Sequence, residues 1–100
     1  MLKFDSVVWQ KDESTPLPKD LVTARQKMLK DVIENVLPGE SSEEITAVLG
    51  PSTRTSHFKG RYDLIYMLGP QRDSLMGLDY EWLLIHLKNG RFKKYQIVVD

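Results

Sequence analysis

Cysteine is absent from the 100-residue sequence. That excludes disulfides, thiol nucleophiles and cysteine-ligated zinc, and it leaves the redox compartment open. Net charge is absent too, because fourteen Lys and Arg offset fourteen Asp and Glu. Nucleic acid or anionic lipid is therefore not drawn in by the field of the whole molecule, and only a local patch could attract it. No apolar run approaches the roughly 20 residues of a membrane-spanning helix, so direct membrane insertion is not expected. The opening Met1-Leu2-Lys3-Phe4-Asp5 lacks the basic-then-apolar order of a secretory signal. Two origins fit it: a cytoplasmic protein, or a periplasm-facing protein of the cell envelope whose leader has been removed.

Catalytic and metal-binding signatures are missing as well. His57 and His86 stand alone, with no second histidine at ligand spacing. Asp63, Asp73, Asp79 and Glu81 do not follow the spacing of a calcium loop. Gly50-Pro51-Ser52 lacks the glycine that follows the serine of a nucleophile elbow, and neither a P-loop nor a G-x-G-x-x-G is present. The expectation is a chain without catalytic residues, cofactor or metal.

What is present reads as one globular domain: 41% of residues are hydrophobic and 28% charged, which is ordinary for a soluble chain of this size. Residues 1–19 are expected to be an irregular N-terminal arm. Pro16 and Pro18 remove backbone donors there, and Trp9 packs back onto the domain formed by residues 20–100. A first helix is expected from Asp20, with Leu21, Met28, Leu29, Val32, Ile33 and Val36 on one stripe and Pro38-Gly39 ending it. A second follows in PGESSEEITAVLGPS. Ser41 and Glu44 have the spacing of a capping box, Ile45, Val48 and Leu49 form its apolar face, and Gly50-Pro51 stops it.

The second half changes period. Arg54 to Lys59 is read as a short strand, Lys59-Gly60-Arg61 as a turn, and Tyr62 to Leu68 as a stronger strand. Glu81 to Lys88 and Arg91 to Val99 form a hairpin about Asn89-Gly90. Two registers compete. A two-residue type I′ turn pairs Leu87 with Phe92 but brings Lys94 and Gln96 onto the core face. A glycine bulge with a three-residue loop instead aligns Leu83, Ile85 and Leu87 with Tyr95, Ile97 and Val99. In both, Leu83, Ile85 and Leu87 face the core, while Trp82, Leu84 and His86 lie on the other side. The fold class expected is α+β. It is a two-layer sandwich in which two N-terminal helices cover one face of an antiparallel sheet of 3–4 strands. The opposite face is expected to stay open.

The order helix, G-x-S-x-E-E-I-x-x-V-L-G-P-S, a strand containing Tyr66, W-L-L-I-H-L-K-N-G-R-F and a last strand resembles the SmpA/OmlA (BamE-like) family of small bacterial proteins. β-Lactamase inhibitor protein shares the same αα-then-sheet unit. The resemblance covers roughly Arg25 to Val99. The lipobox cysteine of the family's lipoproteins is not in this sequence. The resemblance implies a non-catalytic protein-binding domain, often in the bacterial cell envelope. Aromatics supply most interface anchors, so Tyr62, Tyr66, Trp82 and Phe92 are the candidate contacts for a protein partner. Another class is a cytosolic small-molecule-binding or enzymatic domain with a pocket near His57, Arg61 and Asp63. The basic and aromatic residues from His86 to Tyr95 are read as a solvated hairpin tip with lysines guarding an edge, not as a nucleic-acid site.

Overall fold

A computed structural model describes residues 2–11, 22–56, 58–71 and 79–100. The chain is α+β, with helices and a three-stranded antiparallel sheet in the order β1-β2-β3. Helices α1 (Ser6–Lys11), α2 (Ala24–Asp31) and α3 (Ser42–Leu49) precede β1 (Leu64–Pro70), β2 (Tyr80–Lys88) and β3 (Arg91–Val99).

Among the described residues three α-helices stand where two were expected, because Ser6–Lys11 of the N-terminal arm is helical. Asp5 starts α1 by accepting the backbone N–H groups of Val7 and Val8, the usual service of a short acidic side chain at a helix entrance. Trp9 on this helix is buried in the same core cluster as the other helices and the sheet. Residues 2–11 of the arm are therefore part of the fold. The start of the arm is tied down by Phe4, whose N–H donates to the Asp31 carboxylate at 2.6 Å. That bond, followed by one from Asn35, holds the Asp31 carboxyl below its usual range.

Helix α2 begins at Ala24, four residues beyond the expected Asp20, which lies outside the described residues, as does Leu21. Its N-cap is Thr23, in a capping box with Gln26. Thr23-Ala24-Arg25-Gln26 carries that signature as plainly as Ser41 and Glu44 do. Beyond Asp31 the helix widens into a π-helical stretch, Val32–Val36, closed by Leu37 N–H donating to the Val32 carbonyl. The expected box on α3 is formed: Glu44 N–H donates to Ser41 Oγ at 3.1 Å, and Ser41 N–H to Glu44 Oε1 at 2.9 Å. Such a cap contributes about 1 kcal/mol. Gly50 ends the helix at φ +81°, a conformation that disfavours a side chain.

Met28, Leu29, Val32, Leu37, Ile45 and Leu49 from the helical half pack with Leu64, Tyr66, Leu68, Leu83 and Ile85 of the sheet. The sheet's other face was expected to stay open. Instead Ile65, Trp82 and Leu84 are buried there, packed against by Phe58, Tyr62, Met67 and Val98. Where a strand from Arg54 to Lys59 was expected, the described residues 54–56 and 58–59 form none, and a turn follows in which Arg61 N–H donates to the Phe58 carbonyl. That turn swings Phe58 over Trp82, ring centroids 6.3 Å apart.

The competing registers of the hairpin are both present, in succession. Asn89 (φ +53°) and Gly90 (φ +77°) form the two-residue turn, with Lys88 opposite Arg91 and Leu87 opposite Phe92. The register then shifts between His86 and Leu87, so that Lys94, not Lys93, faces His86. From there Ile85 meets Tyr95, Leu83 meets Ile97 and Glu81 meets Val99. A bulge at Lys93 thus satisfies the turn chemistry and the apolar alternation together.

Candidate functional site: the outer edge of the sheet

A strand hydrogen-bonds to a neighbour on each side through alternate residues, so an outermost strand always presents one row of backbone groups outward. On β1 that row belongs to Ile65 and Met67, since Leu64 and Tyr66 pair with Ile85 and Leu83 of β2. The chain closes it. Ile65 N–H donates to Ser52 Oγ at 2.9 Å, and its carbonyl accepts from Thr53 N–H at 2.8 Å. Met67 N–H donates to Thr53 Oγ1, and its carbonyl accepts from Arg25 Nη1 at 2.8 Å. Further along, Thr23 Oγ1 donates to the Leu68 carbonyl, and Gln26 Nε2 to the Pro70 carbonyl. Gly69 makes this approach possible: a Cβ there would sit 2.5 Å from Thr23 Cγ2, at a φ of +149°.

The same segment is anchored from the core. Tyr66, fully buried, donates its hydroxyl to the Gly50 carbonyl at 2.8 Å, two residues before Ser52. Burial disfavours the phenolate and pushes the Tyr66 pKa up to about 12.

β3 forms the opposite edge. Tyr80 and Asp100 exchange both backbone hydrogen bonds at 3.0 Å, which fixes the phase of the ladder. Even-numbered residues from Lys94 to Asp100 point their backbone groups at β2, and Tyr95, Ile97 and Val99 point theirs outward. No strand pairs with that row among the described residues. The side chains of the same three residues are exposed by 41%, 38% and 44%. They lie on the helical face of the sheet, opposite Ile85, Leu83 and Glu81, but the helices do not reach over them. Between β3 and α2 a groove of about 390 Å³ opens instead, lined by Gln26, Leu29, Lys30, Ile33, Glu34 and Tyr95. Gln26 at its floor is fixed by Thr23, Pro70 and the buried Glu81.

The four aromatic candidates do not form one surface. Tyr66 is enclosed in the main core, and Phe92 is half-buried against it. Trp82 is enclosed in the second cluster, with Tyr62 half-buried beside it. The Leu83, Ile85 and Leu87 face was legible because it alternates, but the exposure of its β3 counterparts was not. The lysines at 93 and 94 carried the available signal, since lysine and a bulge are common on strands that nothing covers.

The groups expected near a small-molecule pocket are engaged structurally. Asp63 accepts the Leu87 N–H at 2.7 Å, and the Arg61 guanidinium lies 5.6 Å from the Phe58 ring centroid. His57 lies outside the described residues, and so do Arg72 and Asp73. His86 Nε2 is 3.0 Å from Gln96 Oε1. A second groove of about 450 Å³ runs between Phe4, Val36, Glu40, Glu44 and Val48. On its rim, a hydrogen bond that the protonated Glu40 carboxyl donates to Glu44, together with the Glu44 charge, pushes the Glu40 pKa up, while accepting the Ser41 N–H holds Glu44 down. Among the described residues there is no cluster of His, Asp and Glu able to hold a metal ion, and no helix long and apolar enough to cross a membrane.

No family model, curated protein or solved structure matches the chain.

Proposed function

We propose that this chain is a non-catalytic protein-binding module of the SmpA/OmlA (BamE-like) type, acting in the bacterial cell envelope. Its architecture is the two-layer arrangement of helices over one face of a three-stranded sheet. The partner docks at the β3 edge, adding a strand beside Tyr95, Ile97 and Val99. One observation carries this reading: the fold satisfies every outward backbone group of Ile65 and Met67 on one edge, while among the described residues no strand pairs with the outward row of Tyr95, Ile97 and Val99 on the other, where these apolar residues are exposed. Strand addition uses such an edge, drawing affinity from main-chain hydrogen bonds and specificity from alternate side chains. Phe92, half-buried on β3 itself, supplies the rim of the contact, whereas Tyr62 packs on the other face of the sheet beside Trp82.

The test is affinity capture from a bacterial envelope extract, with Ile97→Lys compared against Val7→Lys. Val7 is exposed on α1, away from the sheet edge. Proteins retained by the parent chain and by Val7→Lys, but lost from a folded Ile97→Lys, support the reading. Equal retention by all three, both of envelope proteins and of untagged parent chain added to the extract, overturns it.

A further inference from the structure

We propose that the strand received by the β3 edge is the β3 strand of a second copy of this chain, joined antiparallel about a two-fold axis at Ile97. This rests on the strand-addition reading above and names its partner.

The ladder restricts how two such edges can meet. Only residues whose backbone groups point outward can exchange hydrogen bonds, so Tyr95, Ile97 and Val99 must face odd-numbered residues of the other copy. A two-fold axis between an odd and an even residue is excluded, because it would set outward groups against groups already committed to β2. An axis at Tyr95 or at Gln96 would oppose Lys93 to Ile97 or to Val99 and run the pairing into the bulge at Lys93. An axis at Val98 would bring only Ile97 and Val99 together and leave Tyr95 out. An axis at Ile97 avoids these faults. It pairs Ile97 with its own symmetry mate and Tyr95 with Val99 twice, so all three exposed apolar residues find apolar neighbours.

On the other face of the strand, the same axis sets Lys94 directly opposite Asp100, again twice by symmetry. Lys94 and Asp100 are non-hydrogen-bonded partners in that register, where side chains approach closest. Opposite charges at the ends of one short strand are thus self-complementary only when the strand meets its own reverse. An unrelated partner strand would need an acidic residue and a basic residue at the same separation. Lys93 and Lys94 also oppose parallel in-register stacking, which would set each lysine beside its own copy. The arrangement closes after one pairing, because each copy's other edge is already satisfied by Ser52, Thr53 and Arg25. A dimer with a continuous six-stranded sheet results, and not a fibre.

The absence of cysteine makes the test direct. Sedimentation velocity of the full chain over a range of concentrations should show a reversible monomer–dimer equilibrium. Ile97→Cys should form a disulfide-linked dimer under mild oxidation, because the Cα atoms of a hydrogen-bonded pair lie about 5.5 Å apart, within disulfide reach. Val7→Cys, exposed but remote, should cross-link many-fold more slowly. Lys94→Asp and Asp100→Lys should each weaken dimerisation by about tenfold, and the double exchange should restore it. A chain that stays monomeric at every concentration, with both cysteine variants cross-linking equally slowly, overturns the proposal. So does a dimer that Ile97→Cys cannot trap or in which the double charge exchange fails to recover association. Capture of envelope proteins through the β3 edge by such a monomer would leave the strand-addition reading standing without the second copy.

Discussion

The two edges of the sheet pose the same physical problem and receive opposite answers. A backbone N–H or C=O cut off from water without a partner costs about 1–3 kcal/mol, so an edge that is buried must be satisfied and an edge left wet need not be. On β1 the burial is real: Ile65, Tyr66 and Leu68 are fully enclosed, and two short hydroxyl side chains, the Thr53 N–H and one arginine supply what a fourth strand would have supplied. On β3 the tip end is bridged by Glu40–Ser42, with Phe92 N–H donating to the Glu40 carbonyl and Ser42 N–H to the Gly90 carbonyl, but along Tyr95, Ile97 and Val99 no described residue supplies a partner strand. The difference teaches that the chain caps the β1 edge at Ile65 and Met67 but caps β3 only at its hairpin end.

The largest effect expected from disturbing this asymmetry is at Gly69. A methyl group there would meet Thr23 Cγ2 at 2.5 Å, in a backbone conformation that L residues rarely adopt. Gly69→Ala should cost about 3 kcal/mol or more by urea denaturation, the sum of overpacking and strain. A loss below about 0.5 kcal/mol, the range of ordinary surface changes, would show that α2 does not sit against β1 as described. Ser52→Ala should cost about 1–2 kcal/mol, since it orphans the Ile65 N–H, and should speed hydrogen exchange at that amide. The matching change on the open edge, Val99→Thr, should stay within about 0.5 kcal/mol. Equal costs at the two positions would erase the distinction between the edges.

Alkaline pH offers a subtler probe of the closed side. The Tyr66 hydroxyl has a folded pKa of about 12 against an ordinary value of 10.0. The unfolded chain therefore loses this proton first as pH rises. The contribution of Tyr66 to stability is complete below pH 10 and disappears between pH 10 and about 12. Tyr66→Phe should be less stable at neutral pH by about 1 kcal/mol, because the Gly50 carbonyl loses its donor. It should also show a shallower decline above pH 10 than the parent chain. Parallel pH profiles for the two proteins would mean that this hydroxyl does not hold the Gly50–Ser52 segment.

The sequence showed the elements whose signals are local. The Ser41–Glu44 box, the stop at Gly50-Pro51 and the Asn89-Gly90 hairpin lie where their patterns put them. The helical turn within the arm was missed because six residues give too little periodicity to read. The π-helical widening after Asp31 has no residue signature of its own. The burial of Trp82 and Leu84 depends on a turn, Phe58 to Arg61, that brings a distant aromatic ring across the sheet. Such long-range covering leaves no trace in the alternation of a strand. The candidate site suffered from the same limit: Tyr66 and Trp82 were chosen for their chemistry, and only the packing shows that both are enclosed. Tyr95, Ile97 and Val99 look like core residues by pattern. Their exposure follows from how far the helices extend, which no short stretch of sequence encodes.

The bulge at Lys93 works as a phase shifter between two modules of the hairpin. On the tip side, the turn and the Leu87–Phe92 pair obey the demands of Asn89-Gly90. On the far side, the ladder from Ile85 and Tyr95 onward obeys the demands of the core. With one unpaired residue absorbing the mismatch, neither module dictates the other's parity. A tip rebuilt with one residue more, and the bulge removed, would present the same face to the helices and the same row of outward groups at Tyr95, Ile97 and Val99. The loop is thereby free to vary in length and chemistry while the edge that it leads into stays fixed.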